Sequence, residues 1–467
     1  MLLRVPPSSG ILRFLGSIAL AFSGAVHAQE TGVTGTMPED LMPGLRPLIE
    51  GGLSQAPEMI TQGINISISE AQRLWNGYGP LLPSLGGNAQ YGDYETSIAN
   101  NPQATSRTAG SFYSVTLTQP VFRWGALRNQ LEVQQIGVLL SEKNFALGYL
   151  GFANSVRKQY EGLIITKMAL RNSLLNLRIK QKAMDLATVQ LKSGSIPQTS
   201  FDSAKLDLDS TQVNYDRDSQ TYDFARHALA REVGVKDIPD DSIPLGIPPP
   251  KYSSAASSRL VSELLQTGAR DTIQFQQGKL QVAQSELQYK NARLGLMPNF
   301  SAQASLQQWN QSNVQNGSVT QTALLNEQVS LQVNWTIFDG FETHGHKREA
   351  LLRRRQAEND LEQTTDRILY EAQNSQRSVD IAWRQLQVTD RSFEYSTYSN
   401  QQQQSELKLG NISQDAADLS QYNCNGAEIT DAQTRNGFLI AWCDFLSVVD
   451  ADPVMNKLPA SYARAKP

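Results

Sequence analysis

Two segments of the chain, 111–122 and 330–337, carry apolar residues at every second position. On the apolar face lie Tyr113, Val115, Leu117 and Val121 in the first segment and Leu331, Val333, Trp335 and Ile337 in the second. A period of two predicts a β-strand with one apolar and one polar face. Similar alternation at 84–91 and 300–307 predicts a partner strand before each segment, and the polar stretches 92–110 and 310–328 are interpreted as connecting loops. The pattern therefore predicts two pairs of strands.

A long helical pattern follows each strand pair. Leu163, Leu170, Leu174 and Leu177 recur at the spacing of one helix face, and a similar spacing runs through residues 361–386. No proline interrupts 125–192 or 338–451. A helix of about 65 residues would be about 100 Å long. Such a rod needs partners along its length, so a coiled coil or a helical barrel is predicted.

Each rod is predicted to end at a glycine, Gly194 in the first half and Gly410 in the second. Glycine supplies the backbone freedom that a helix end needs. Helical sequence resumes at 198–233 and at 413–449. We therefore expect a second helix to return along each rod.

The two halves of the chain match each other at a constant offset of 216 residues. Phe122 and Gly194 recur as Phe338 and Gly410, so the interval between them is conserved. A looser match relates 82–84 to 297–299. Such a repeat predicts a tandem duplication, in which one unit of strands and a long helical hairpin is built twice.

The chain is predicted to have five parts. Residues 1–28 have the basic start, short apolar run and small terminal residues of a secretory signal peptide. Residues 29–237 form the first repeat, with a helix, two strands and a long helical hairpin. A proline-rich linker at 238–252 leads to the second repeat at 253–450, and 451–467 form a tail.

Charge and motifs exclude several classes of function. The formal net charge is −4 at pH 7, whereas a nucleic-acid binder needs a basic face. No nucleophile elbow, phosphate loop or convergent polar site is present, so we predict neither an enzyme nor a cofactor. His344 and His346 lack a third ligand nearby, which argues against a metal site.

The only cysteines are Cys424 and Cys443, nineteen positions apart on one predicted helix. At about 1.5 Å per residue they would be nearly 30 Å apart, which is too far for a disulfide. We predict buried free thiols, or one thiol in contact with a neighbouring chain.

The order and spacing of these motifs resemble the TolC-like family of outer-membrane efflux proteins. The resemblance rests on 82–84 and 297–299 before the strands, on 121–125 and 337–341 after them, and on the glycine turns. It covers essentially the whole mature sequence. It implies an α+β fold, mostly α, in which a trimer closes a 12-stranded β-barrel with four strands per protomer. A long coiled-coil helical barrel continues it.

The residues themselves favour the same architecture. A signal peptide, no spanning helix and alternating strands leave a closed barrel as the way to cross a membrane. The apolar strand positions would then face lipid, with Val333 near mid-membrane. An aromatic girdle at the strand ends would include Tyr91, Phe122, Trp124, Trp309 and Trp335.

The resemblance also implies a function and partners. The protein would be a passive homotrimeric duct in a Gram-negative outer membrane, with a periplasmic helical extension. It would be docked by a periplasmic adaptor (membrane fusion) protein and an inner-membrane ABC or proton-driven pump. The residues implied to form the adaptor-docking tips are Gly194, Ile196, Gly410 and Ile412.

Three acids near the tips are candidates for a charged periplasmic entrance. Asp415 and Asp418 are three residues apart on one predicted helix, and Asp202 is the weaker candidate in the first half. Their positions depart from the spacing usual in the family. The other interpretation is a solvated helix start, where acids complement the helix dipole.

Several alternatives remain open from the sequence. Type I protein secretion and small-molecule efflux use the same kind of duct, and the cargo is chosen by the pump. A periplasmic or secreted coiled-coil scaffold without a pore is the competing hypothesis. The alternating strands discriminate the two, because a scaffold has no need for an apolar outer face.

Overall fold

The computed structural model describes residues 37–98, 101–315 and 318–458; the predicted signal peptide lies outside these ranges. The elements in chain order are α1 (Pro38–Leu41), α2 (Leu45–Gln55), α3 (Pro57–Gln72), β1 (Ser84–Ile98), β2 (Asn101–Phe122), α4 (Ala126–Lys192), α5 (Gln198–Val233), α6 (Ser254–Thr267), α7 (Ile273–Ala292), β3 (Asn299–Gln315), β4 (Ser318–Asn334), α8 (Glu342–Lys408) and α9 (Gln414–Val448). In the described ranges no helix is both long enough and apolar enough to cross a membrane.

The four strands form one antiparallel sheet in the order β1-β2-β3-β4. β1 and β2 make one hairpin, β3 and β4 make the other, and β2 pairs with β3 to join the two halves. The strands contain 15, 22, 17 and 17 residues. The sheet therefore leaves β1 and β4 as its two edges.

The predicted loops at 92–110 and 310–328 are wrong. Most of these residues continue the two hairpins, with Gly92 opposite Gly110 and Asn310 opposite Ala323. The ladder joins backbone groups regardless of the side chains. A run of Asn, Ser and Thr can therefore extend a strand wherever water reaches its side chains.

The predicted rods are present and equal in length. α4 and α8 contain 67 residues each, or about 100 Å at 1.5 Å per residue. Each begins after a residue in the left-handed backbone region, Gly125 with φ 88° and Phe341 with φ 71°. Val379 and Leu386 of α8 are buried at the predicted spacing of one helix face.

The helices α5 and α9 return along the rods, as predicted. α5 packs on α4, and α9 packs on α8 and also along α4. The second helical hairpin therefore contacts the first through α9.

A buried core lies where α4 contacts α9 and the first helices of the chain. Tyr149 and Phe152 of α4 and Trp442 and Phe445 of α9 are all at most 1% exposed. Arg157 is buried in the same region and forms ion pairs of 2.5 Å with both Asp452 and Glu39. Two carboxylates thus compensate a cation that would be costly to bury alone.

Cys424 and Cys443 are buried free thiols on α9. This agrees with the first of the two alternatives predicted for them. Burial raises the pKa of the Cys443 thiol well above its usual value.

The two halves of the chain repeat in structure as well as in sequence. Both rods, and the starts of both return helices, lie 216 residues apart. Near the strand ends, the Gln119 amide donates to the Leu81 carbonyl at 3.0 Å, and the Trp335 indole donates to the Leu296 carbonyl at 3.0 Å. Matched positions therefore make matched contacts, and the tandem duplication itself stays a prediction.

The proline-rich segment 238–252 is packed against the helices. Ile238, Ile243 and Ile247 are at most 3% exposed, and the Arg435 guanidinium of α9 donates to the Ile247 carbonyl at 2.7 Å. The assignment of this segment as the boundary between two repeats stays a prediction.

Candidate membrane wall and helical tips

One face of the sheet is apolar across all four strands. Directly paired residues point to the same side of a sheet, and Leu117 lies opposite Leu85 and Ala304 while Ala304 lies opposite Val329. The register adds further apolar residues to this face, namely Ala89, Tyr113, Val115, Phe300, Ala302, Leu306, Leu325, Leu331 and Val333. Val329 is 87% exposed. The protomer therefore presents a broad apolar surface to its surroundings.

The opposite face is mostly polar. Gln303 lies opposite both Thr118 and Ser330, and Ser305 lies opposite Gln328. The Gln332 amide donates to the Gln303 side-chain oxygen at 2.6 Å. The predicted division into an apolar and a polar face is therefore present, and contact of the apolar face with lipid stays a prediction.

Trp309 lies on the mostly polar face, which argues against its predicted place in a membrane-bordering girdle. It lies opposite Phe112 and Leu324, and the Phe112 and Trp309 ring centroids are 5.5 Å apart. Trp309 lies three positions after Leu306, which is an odd offset. Because the faces alternate with each residue, one position decides the side. Conversely, Glu327 interrupts the apolar face beside Leu306.

The predicted strand positions Trp335 and Ile337 lie beyond the strand, because β4 ends at Asn334. There the Trp335 indole donates to the Leu296 carbonyl, so the chain turns toward the helices and leaves the ladder. The Trp124 indole similarly donates to the Pro298 carbonyl at 2.8 Å. An aromatic border thus exists at the helical end of the sheet.

Each rod ends in the same turn. The Gly194 amide donates to the Leu191 carbonyl and the Ser195 amide to the Gln190 carbonyl, and the same two bonds recur around Gly410. This pair of backbone hydrogen bonds forms a Schellman motif, which needs a residue in the left-handed conformation just after the helix. Gly194 has φ 71° and Gly410 has φ 80°.

The sides of the two turns are open to solvent. Gly194 and Gly410 have no atoms within 4 Å of the position a Cβ would take. Ile196 and Ile412 are half-buried, and Leu409 is 72% exposed. Both tips therefore present apolar side chains that a partner could cover.

The three candidate entrance acids have different surroundings. Asp418 forms an ion pair of 2.6 Å with Lys182 of α4, and this contact lowers the pKa of the carboxyl. Asp202 accepts a hydrogen bond of 2.9 Å from Gln198. Asp415 is exposed in the first turn of α9. The structure therefore brings Asp418 to the neighbouring rod and leaves Asp415 at the helix start.

The ion pair between Lys182 and Asp418 could not be predicted from the sequence. Lys182 lies 236 residues from Asp418, and no local pattern links two such positions. Beside it, Lys180 pairs with Asp207 of α5 at 3.2 Å. α4 is thus joined to both return helices by ion pairs near the tips.

The two predicted surface histidines lie at the start of α8. His346 approaches Glu342 and Glu349 at 3.7 and 3.6 Å. Within the described part of the chain, no group of three or more metal-binding side chains comes together.

Comparison with known proteins gives this geometry a context. Residues 78–235 match a protein family described as outer membrane efflux protein. No curated protein sequence matches the chain significantly. Among solved structures, the Campylobacter jejuni CmeC outer membrane channel has a TM-score of 0.64 at 14% identity, with 90% of this chain and 89% of that chain covered.

Two further solved structures are similar. The Vibrio cholerae outer membrane protein VceC has a TM-score of 0.58 at 15% identity, covering 87% of this chain and 96% of that chain. The open state of the Neisseria gonorrhoeae MtrE outer membrane channel has a TM-score of 0.59 at 16% identity, covering 89% of this chain and 94% of that one. The predicted α+β, mostly helical fold of the single chain is therefore confirmed, and the resemblance to outer membrane efflux proteins is confirmed over residues 78–235. The trimeric 12-stranded barrel stays a prediction.

Proposed function

We propose that this chain, similar to outer membrane efflux proteins, is a passive duct through the outer membrane of a Gram-negative cell. The observation that carries the proposal is the four-stranded sheet with one apolar and one mostly polar face. The apolar face is exposed in the protomer, and a wall with lipid on one side and water on the other would use both faces. The two rods then extend the duct away from the membrane.

The open edges β1 and β4 support assembly with further copies of the chain, because unpaired strand edges are not stable in lipid. Three copies would supply twelve strands. With about 4.8 Å between strands and a tilt of about 40°, the circumference is about 75 Å and the bore between backbones about 24 Å. Such a barrel is too wide for its side chains to fill.

The tips are proposed to be the docking points of a periplasmic adaptor. Gly194, Ile196, Gly410 and Ile412 lie at the ends of the rods farthest from the sheet. An inner-membrane ABC or proton-driven pump would supply the energy, because the sequence carries no phosphate-binding loop motif. The proposal includes type I protein secretion and small-molecule efflux, since a bore of this width serves both.

The entrance is proposed to be acidic. Three copies of Asp415 and Asp418 would place six carboxylates around the axis, with Asp202 as a further contributor. Negative charge in a narrow passage favours cations. The Lys182 ion pair offsets part of the charge of Asp418, so Asp415 would be the stronger determinant of selectivity.

Membrane fractionation combined with bilayer recording tests the proposal. The mature protein should be recovered from the outer membrane as a trimer and should conduct ions in a planar bilayer. Recovery as a soluble monomer or a non-conducting oligomer would favour the pore-free coiled-coil scaffold and overturn the duct.

A further inference from the structure

Charge is segregated along the first turns of α8. Residues 342–355 contain five basic residues and two acids, whereas 356–366 contain four acids and no basic residue. The chain as a whole has a formal net charge of −4. The basic segment therefore stands out against an acidic background, and it begins where the sheet gives way to the rod.

The charged side chains of this segment lie on different faces of α8. On one face, Glu342, His346, Glu349 and Arg353 contact each other at i,i+3 and i,i+4 spacing. On the other face lie His344, Lys347, Arg348 and Arg355. In the described part of the chain, none of these four takes part in an ion pair, and all are exposed.

The side to which this second face points can be inferred from Leu369, which lies farther along α8 and has a known neighbour. Leu369 packs against the cluster that includes Leu264 of α6, and Val448 and Val449 pack there as well. At about 100° per residue, the four basic positions lie within about 60° of the direction of Leu369. The basic face therefore looks to the side on which α6 covers the rod. We refer to His344, Lys347, Arg348 and Arg355 as the basic face.

The basic face lies next to the apolar end of the sheet. β4 ends at Asn334 and α8 begins at Glu342. Between them, Ile337, Phe338 and Phe341 are 74%, 71% and 73% exposed. Lys347 and Arg348 then lie about 8–9 Å along the helix from its start, within reach of the same boundary through their long side chains.

We propose that the basic face, through Lys347 and Arg348 at its membrane end, binds the phosphate headgroups of anionic phospholipids in the leaflet bordering the helical end of the sheet. This proposal rests on the proposed membrane location. Lipid is favoured over an acidic protein because the basic face continues an exposed apolar and aromatic surface. Amphipathic surfaces of this kind hold headgroups and acyl chains together.

The test compares two triple variants that remove the same charge from the same helix. The first is Lys347→Gln/Arg348→Gln/Arg355→Gln. The control is Arg377→Gln/Arg384→Gln/Arg391→Gln, whose three arginines are also exposed. Arg377 lies about 44 Å farther along α8 than Arg348, and therefore far from the membrane boundary.

Purified full-length protein is reconstituted into nanodiscs of phosphatidylethanolamine containing a minor fraction of phosphatidylglycerol, and the retained lipid is quantified. The wild type and the control should enrich phosphatidylglycerol. The first variant should lose the preference, with affinity falling roughly fivefold for each basic residue removed near the surface at low salt. Raised salt should weaken the wild-type preference by screening.

Ion conductance of each variant separates this proposal from the proposed function. Equal lipid preference in the two conducting triple variants would overturn the lipid proposal alone. Loss of preference in both variants would show that the preference depends on the total charge of the helix rather than on the basic face. This result would also overturn the lipid proposal. A wild type that neither enters the membrane nor conducts would overturn both. Association of the basic face with an acidic adaptor protein, without lipid enrichment, would replace lipid as the partner.

Discussion

Substitution of Val329 by arginine most directly tests whether the apolar face of the sheet contacts lipid. Val329 lies on the apolar face of β4, opposite Ala304, and is 87% exposed in the protomer. If lipid covers this face, the arginine must enter hydrocarbon or distort the bilayer around it. We therefore expect Val329→Arg to destabilise the assembled barrel.

The register sets the depth of the substitution. Along β3 the apolar face runs from Phe300 to Gln308, where polar residues begin. Eight steps of about 3.4 Å give about 27 Å along the strand and about 21 Å across the membrane at a tilt of about 40°. Val329, opposite Ala304, lies midway. A basic residue at mid-membrane costs about 2–4 kcal/mol, but only about 0–1 kcal/mol near the interface.

Two other arginine substitutions provide the controls. Val333→Arg lies on the same face one residue from the end of β4 and should cost about 0–1 kcal/mol. Gln328→Arg lies beside Val329 but on the polar face, opposite Ser305, and should have little effect. Urea titration of the trimer in lipid vesicles would give the three free energies of unfolding. Equal losses of unfolding free energy for Val329→Arg and Gln328→Arg would refute the assignment of the two faces. Equal losses for Val329→Arg and Val333→Arg would refute the mid-membrane depth assigned to Val329.

Three further predictions concern the helices. Arg157→Met leaves the buried Asp452 carboxylate and the partly buried Glu39 carboxylate uncompensated and should cost about 3–5 kcal/mol by thermal unfolding; an unchanged midpoint would contradict the ion-pair argument. Gly194→Pro or Gly410→Pro places a residue restricted to negative φ where φ is positive, so export should fail while trimers still form, and normal export by both would place docking elsewhere. Asp415→Asn/Asp418→Asn should weaken cation preference in single-channel recordings without loss of trimer, and unchanged selectivity would return both residues to an ordinary helix start.

The rods could be predicted from the sequence because proline interrupts neither of them and the apolar spacing is regular. The positions of Gly194 and Gly410 were equally clear, since a left-handed turn strongly favours glycine. Both signals are local. Each element is fixed by residues that are neighbours in the chain, so no tertiary information was needed.

The strand lengths and the side of Trp309 could not be predicted in the same way. Polar residues in the hairpins gave no alternation to follow, although the backbone ladder continues through them. The sequence placed Val333 near mid-membrane, whereas the structure places it at the strand end. The Lys182–Asp418 contact depends on how α9 packs along α4, and packing between distant segments leaves no mark in a single sequence.

The basic face of α8 was visible in composition, but its meaning was not. Five basic residues within 342–355 can be counted from the sequence. Only the ion pairs of Arg353 and Arg354 in the folded chain show which of them already have partners. Geometry therefore separates the free charges from the compensated ones.

The equal lengths of the two rods constrain how such a chain can evolve. Both rods start from the same end of one sheet, after β2 and after β4, and each contains 67 residues. Inserting a single residue into one rod would advance its tip by about 1.5 Å and rotate it by about 100°, so the two tips would no longer be level or face the same way. Changes that keep both must come in matched pairs and in near-whole numbers of turns. The two rods therefore fix one length, and if the proposed duct spans the periplasm, a lineage with a wider or narrower periplasm would have to alter both halves together.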